Sequence, residues 1–163
     1  MSESSWSGAE FDSTRQYRYR LWRRWRGGGR TVLWIMLNPS TADEYANDRT
    51  IAKCIKFSQR WGFDGMEIVN LFAWRATDPR ALKPLGVNAI GPANDDTILS
   101  AAARAHYVMA AWGAHGTILG RAARVMQLCR AAGVALQCMQ TTQTGQPMHP
   151  LYLPADLLPK QFL

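Results

Sequence analysis

Polar residues that could carry chemistry stand in a few clusters, and the first centres on Asn38. The residue before a proline is pushed into an extended conformation, so Asn38, which precedes Pro39, should project stiffly from the chain. Its amide both donates and accepts hydrogen bonds, so it could hold a water molecule and a substrate together. The alternative is a turn that ends a strand. Asp43, a little further on, could act as a carboxylate in a cleft or cap the following helix.

A second cluster begins at Asn70, near the end of an apolar run. A buried amide must find partners or cost about 1–3 kcal/mol, and either the edge of a ligand or the backbone could supply them. Arg75 lies in the loop beyond it, where it could bind phosphate or belong to the surface.

The last cluster is the loop 141–150, which ends in His149 and Pro150. Loops of this kind carry ligand-facing residues, and a histidine there could donate a hydrogen bond to an anion or act as an acid. No pair of histidines has metal-ligand spacing, and three widely spaced cysteines cannot build a four-thiolate site. We therefore expect neither a metal nor another cofactor.

These clusters follow four apolar segments, 31–37, 66–71, 107–112 and 134–139, which alternate with helical patterns at about 48–61, 94–104 and 117–132. Alternating strands and helices predict a three-layer α/β/α fold with a central four-stranded parallel sheet. The first and third of these strands should pair. Because such sheets bind ligands beyond the carboxyl ends of their strands, Asn38, Asn70 and His149 should face one cleft.

The charge is concentrated near the N-terminus. The net charge is +7, and seven arginines fall within residues 15–30 among tyrosines and tryptophans. Such mixing is typical of a nucleic-acid surface, although a solvated amphipathic strand pair is the alternative. The alternation over 17–25 predicts an edge strand of the sheet or a hairpin with the strand at 31–37. The arginines assigned to nucleic-acid contacts are Arg18, Arg20, Arg23, Arg24 and Arg26.

The 163 residues predict a flexible leader over 1–14 and a single domain over 15–163. No apolar stretch approaches the ~20 residues that a membrane helix needs, and the N-terminus lacks the pattern of a secretory signal. We expect a cytoplasmic protein without a membrane contact. The sequence does not indicate its oligomeric state.

Several motifs together resemble the domain-of-unknown-function family 1643, over roughly residues 17–153. They are Ile35–Asp43, Asp48–Thr50, Val69–Ala73, Ala111–Gly113 and His149–Tyr152.

The order of the motifs is also distantly similar to that of the uracil-DNA glycosylase superfamily. Asn38-Pro39 matches the end of its first motif, Asn70 with the loop 76–79 matches its second, and His149-Pro150 matches the start of its last. The chain departs from that pattern where small residues are expected, at Met36, Ser40 and Leu151.

This second resemblance implies a uracil-DNA-glycosylase-like fold and cofactor-independent cleavage of the N-glycosidic bond of a damaged or modified base in single- or double-stranded DNA. Asn38 would orient the attacking water, Asn70 would read the edge of the base and His149 would stabilise the leaving base, with Asp43 grouped with these catalytic residues. The expected substrate-binding residues are Pro39, Ser40, Tyr45, Asn70, Arg75, Trp112 and Tyr152. The alternatives are a catalytically silent nucleic-acid-binding module and a hydrolase of free nucleosides or nucleotides.

Overall fold

One mixed β-sheet with helices on both faces organises the protein, whose computed structural model describes residues 6–163. Within that range the sheet has seven strands, in the order β1-β2-β4-β3-β5-β6-β7. The strands are β1 (Ser7–Phe11), β2 (Arg18–Arg24), β3 (Thr31–Met36), β4 (Gly65–Asn70), β5 (Tyr107–Ala110), β6 (Gln137–Cys138) and β7 (Lys160–Gln161). The helices are α1 (Arg49–Arg60), α2 (Leu82–Leu85), α3 (Asn94–Arg104) and α4 (Arg121–Ala131).

The apolar run that forms β3 occupies the middle of the sheet. It pairs in parallel with β4 on one side and with β5 on the other, and β5 pairs in parallel with β6. The remaining pairs, β1 with β2, β2 with β4 and β6 with β7, are antiparallel. The sequence therefore predicted an α/β sheet and a strand near β2 correctly, but it left out the antiparallel strands β1 and β7, because these short segments carry little hydrophobic signal.

Helices cover the sheet on both faces, so that the protein has two cores. Alternate residues of β3 point to opposite sides, as in any strand. Trp34 packs with α1, through residues such as Ile51 and Phe57. Leu33 and Ile35 pack with α3 and α4 on the other face. A strand buried on both faces must be apolar throughout, which explains the continuous TVLWIM run.

The N-terminal strands differ from the prediction. The segment around 17–25 forms neither an edge strand nor a hairpin with β3, since β2 lies between β1 and β4. Ser7–Phe11, which the sequence analysis placed in a flexible leader, form the edge strand β1. A Cβ at Gly8 would overlap the Trp22 ring, so glycine is needed where the two strands pack. Residues 1–5 of the predicted leader lie outside the described residues.

Arg23 joins the strands β1 and β2 to the loop that follows β3. Arg23 is 7% exposed, and its guanidinium donates to main-chain oxygens of β1, β2 and the loop that follows β3 and to one side-chain oxygen of that loop. The acceptors are Gly8 O, Trp22 O, Asp43 O, Ala46 O and Asn47 Oδ1. The sequence predicts Arg23 at a nucleic-acid surface, whereas its side chain is buried and bonds other parts of the fold.

We expect Arg23→Ala to lower the free energy of unfolding by about 2–4 kcal/mol, because four main-chain carbonyl groups, one of them the buried Gly8 O, lose a donor and a buried side chain is removed. Arg24→Ala is the matched control: the exposed Arg24 side chain makes no hydrogen bond within the described residues, and its loss should change stability by no more than about 0.5 kcal/mol. Urea unfolding of the two variants checks this. Equal losses would contradict the structural role of Arg23.

Candidate functional site

A cavity of about 630 Å³ opens beyond the carboxyl ends of β3, β4 and β5. It falls in the range of about 300–1,000 Å³ that is usual for small-molecule sites. Asn38 follows β3, Asn70 ends β4, Trp112 follows β5 and His149 comes from the loop after β6, and all four line the cavity. Residues that are far apart in the sequence are thus brought together, as the position of ligand sites in α/β sheets predicts.

Asn38 offers the cavity a hydrogen-bond acceptor. Its Nδ2 donates to Ala76 O at 2.8 Å and to Pro39 O at 3.1 Å, so both amide hydrogens are engaged by the main chain. Within the described part of the chain, Oδ1 accepts no hydrogen bond. The side chain therefore does not both donate to and accept from a ligand, and what remains is an oriented carbonyl oxygen that can hold a water molecule or a hydroxyl group.

Asn70 is 1% exposed, and neither its Nδ2 nor its Oδ1 has a hydrogen-bond partner within the described residues. Its main chain, by contrast, is held firmly. Asn94 Nδ2 donates to Asn70 O at 2.9 Å and to Leu71 O at 3.0 Å, and Arg121 Nε donates to Leu71 O at 3.0 Å. Buried amides without partners are rare and cost about 1–3 kcal/mol. A ligand seated on the cavity floor is a physical reason to keep one.

His149 is held as one tautomer. Its Nδ1 accepts a hydrogen bond from Leu151 N at 3.2 Å, so the neutral ring carries its hydrogen on Nε2. Burial lowers the pKa of His149, and the Asp48 carboxylate opposes that shift only in part. The ring therefore stays neutral at pH values where an exposed histidine begins to protonate, and it can present an Nε2–H donor.

The loop that carries His149 is fixed against β5. Gly113 N donates to Pro147 O at 2.8 Å, and Met148 N donates to Gln140 O at 2.8 Å. Gly113 adopts a φ of +75°, which side chains disfavour, and a Cβ there would lie 3.6 Å from the Cβ of His149. A glycine after β5 is therefore favoured by its backbone conformation, while a Cβ at this position would be only in ordinary contact with His149.

Three charged residues of the cavity, Arg18, Asp48 and Arg49, were not predicted as part of a ligand site. Asp48 caps α1, its Oδ1 accepting from Ile51 N at 2.9 Å, and it also lines the cavity. Arg18, at the start of β2, lines the cavity while being 2% exposed. The sequence predicts Arg18 at a nucleic-acid surface, because the residue pattern around Arg18 does not reveal that β2 lies beside β4.

Four of the other expected substrate-binding residues line the cavity: Pro39, Ser40, Trp112 and Tyr152. Trp112 is buried, and its Nε1 donates to Gln146 Oε1 at 2.8 Å, so its ring is fixed in the core beside Phe162. Tyr152 is 83% exposed and lies at the mouth.

Three predicted residues are absent from the cavity lining. Asp43 Oδ1 accepts from Tyr45 N at 2.9 Å and Ala46 N at 2.8 Å, and these bonds hold the pKa of its carboxyl below the ordinary value. It therefore closes a turn, and the adjacent Tyr45 is 89% exposed to solvent. Arg75 donates to Ser40 O and Arg15 O, and it therefore links the loops that contain these two residues. Neither a hydrogen bond that closes a turn nor one that joins two distant loops can be inferred from residue types and their spacing.

Most of the basic segment is also engaged within the protein. Arg20 pairs with Glu67 and Glu10, and Arg26 pairs with Asp64. Among the five arginines assigned to nucleic acid, and within residues 6–163, only Arg24 has an exposed side chain without an ion pair or hydrogen bond.

The described residues contain no group of three or more His, Cys, Asp or Glu side chains that could hold a metal ion. None of their helices has the length and apolar character required to span a bilayer.

The unpartnered amide of Asn70 has a measurable consequence for the ligand-free protein. We expect Asn70→Leu, a change of similar size, to raise the free energy of unfolding by about 1–2 kcal/mol, since it removes a buried polar group that has no partner. Asn94→Leu is the matched control and should destabilise the protein, because it removes two hydrogen bonds to buried carbonyl groups. Urea unfolding distinguishes the two. Destabilisation by both variants would mean that the Asn70 amide has a partner in the folded protein.

The lowered pKa of His149 predicts a pH dependence of stability. The unfolded chain takes up this proton at the ordinary pKa of about 6.5, whereas the folded protein resists it. The folded state should therefore lose stability as the pH falls from about 6.5 through the lowered pKa, while above 6.5 the penalty is absent. His149→Gln should remove this loss, and His115→Gln, at an exposed position on the same cavity, is the control. Parallel curves for the parent protein and His149→Gln would refute the prediction.

Comparison with known proteins gives a family and no activity. The family model described as "Protein of unknown function (DUF1643)" matches residues 18–151. No curated protein and no solved structure matches the chain. The matched segment begins at Arg18 and ends at Leu151, both of which line the cavity. Because it covers most of the sequence, the chain belongs to the DUF1643 family of proteins of unknown function.

Proposed function

We propose that this protein hydrolyses the N-glycosidic bond of a damaged or modified base in DNA and does so without a cofactor. The observation that carries the proposal is the buried amide of Asn70, whose donor and acceptor are both unpartnered beside a cavity that Asn38 and His149 also line. An amide with both groups free matches the edge of a nucleobase, which presents acceptors and donors side by side.

Asn38 and His149 supply the two remaining functions of such a reaction. Cleavage builds positive charge on the sugar and negative charge on the departing base, so a donor placed near the base lowers the barrier. The Nε2–H of neutral His149 can donate to that developing charge without transferring its proton. The carbonyl oxygen of Asn38 can accept a hydrogen bond from the water that attacks the sugar.

A base in a duplex would have to leave the stack to enter this cavity, at a cost of a few kcal/mol. The exposed Tyr152 lies at the mouth, where its ring is available to an entering base. The resemblance of the motifs to the uracil-DNA glycosylase superfamily supports the same assignment of roles.

A second candidate is the hydrolysis of free nucleosides or nucleotides in the same cavity. It is favoured by the use of the basic segment within the fold, since Arg20, Arg23 and Arg26 bind other residues of the chain. These arginines would favour a polymeric substrate only if their side chains were available to phosphates. The chemistry at the bond is the same for both substrates, and only the size of the substrate differs.

The test is base release from single- and double-stranded oligonucleotides that carry a panel of modified bases, followed by alkaline cleavage at abasic sites, with free nucleosides and nucleotides in parallel. On a substrate that responds, Asn38→Ala and His149→Ala should each lower the single-turnover rate by about 10²–10³ while most of the affinity remains. Asp43→Asn is the control, because it keeps the turn and lies outside the cavity lining; it should keep the parent rate.

The outcomes separate the hypotheses. Release from oligonucleotides supports the DNA reaction, and release from free nucleosides or nucleotides alone supports the second candidate. Equal losses of affinity and rate would mean that Asn38 and His149 only hold the substrate. Tight DNA binding without release from any base in the panel would favour a silent binding module.

A further inference from the structure

Arg18 is a buried cation without a counter-ion. It is 2% exposed, its Nη1 donates to Ala42 O at 3.1 Å, and its Nε has no partner within the described residues. No carboxylate of the described chain lies within ion-pair distance of it. Arginine is almost never fully buried unless it is paired. Burial lowers the pKa of Arg18 to about 10, and the group remains charged at neutral pH.

The charges around Arg18 do not neutralise it. The Asp48 carboxylate attracts it, while Arg23 and Arg75 repel it. The other charged residues that line the cavity are Asp48 and Arg49, so the lining contains two arginines and one carboxylate. The lining is therefore net positive, and a buried cation in such a place needs an anion from outside the chain.

We propose that Arg18 binds a phosphate group of the substrate, in a subsite completed by Arg49 and the N-terminal turn of α1. The subsite belongs to the cavity of the proposed function and rests on that function for the rest of the ligand. Asp48 takes up the Ile51 amide of this turn, and the amides of Arg49 and Thr50 are the other first-turn donors beside the cavity.

Phosphate is the anion that this geometry favours. A guanidinium presents a planar fork of N–H groups that can bond two phosphate oxygens at once. Helix N-termini attract phosphate through free amides and the helix dipole, and α1 is a full helix of 12 residues. The Asp48 carboxylate in the same lining opposes the anion and reduces the excess positive charge.

Two sources can supply the phosphate: a free nucleotide, or the backbone of a nucleic acid on either side of an extruded base. The first test uses inorganic phosphate and measures the thermal unfolding midpoint against chloride at constant ionic strength and pH. The parent protein should be stabilised by phosphate, Arg18→Met should lose that stabilisation, and Arg24→Gln, the matched arginine control on β2, should keep it. No stabilisation of the parent by phosphate, or full stabilisation of Arg18→Met, overturns the proposal.

The second test identifies the source with deoxynucleosides, their 5′-monophosphates and trinucleotides that lack a terminal phosphate. A charged hydrogen bond predicts that the phosphate-bearing ligand binds about 10–100-fold more tightly than the nucleoside. Tighter binding of the monophosphate points to free nucleotides, and tighter binding of the trinucleotide points to the polymer backbone. The same ratio in Arg18→Lys, which keeps the charge but lacks the fork, would show that the fork is not used.

A third measurement uses only the parent protein, so its result does not depend on whether a variant folds. The Arg18 Nε–H resonance of the parent protein should shift on titration with inorganic phosphate and stay unchanged with chloride. An unchanged resonance with phosphate contradicts the subsite. All three measurements report binding, so the absence of base release would refute the proposed function without touching the subsite, and the reverse also holds.

Discussion

The carbonyl groups at the end of β4 accept hydrogen bonds from two buried side chains, Asn94 and Arg121, and the site depends on this constraint. Where a strand ends inside a protein, its last carbonyls need donors, and here α3 and α4 supply them. The neighbouring amides of Leu71 and Phe72 donate to Met36 O and Leu37 O, so the ends of β3 and β4 are joined. With the main chain held in this way, the Asn70 side chain is left free of any structural duty that the described residues show. The fold therefore remains stable although the unpartnered Asn70 amide lowers the free energy of unfolding when no ligand is bound.

The sequence predicted the parts of the fold that depend on local pattern. The apolar segments before Asn38 and Asn70 indicated β3 and β4. The first is continuous, because β3 is buried on both faces, whereas β4 contains one charged residue, the half-buried Glu67. The rule that ligands bind beyond the ends of parallel strands then brought Asn38, Asn70, Trp112 and His149 to one cavity. The position of β2 was predicted wrongly, because an antiparallel partner from the other side of the sheet is a long-range pairing that alternation does not encode.

The same limit explains the site residues that the sequence misassigned. Arg18 looked like one surface arginine among seven, and its place in the cavity follows from the pairing of β2 with β4. Asp43 looked like a free carboxylate, but two backbone amides three residues or fewer away take up its oxygen. The arginine-rich segment looked like a surface for nucleic acid, yet Arg23 supplies donors to an edge strand and a loop with little apolar surface. Most arginines of this segment bond other residues of the protein. Only those side chains that are exposed and unpaired are available to bind a partner.

The cavity has a floor made by strand ends and a wall to which His149, Leu151 and Tyr152 contribute, and the Gly113 N–Pro147 O hydrogen bond is one link between the two. Asn38 and Asn70 belong to the floor, so the sheet fixes their positions. Residues such as Leu151 and Tyr152 belong to the wall and the mouth. Substitutions or insertions in the segment that carries them could therefore change which ligand enters while the groups on the floor stay in place. In evolutionary terms, the specificity of such a protein can diverge faster than its chemistry, with the glycine after β5 as the position that must be kept.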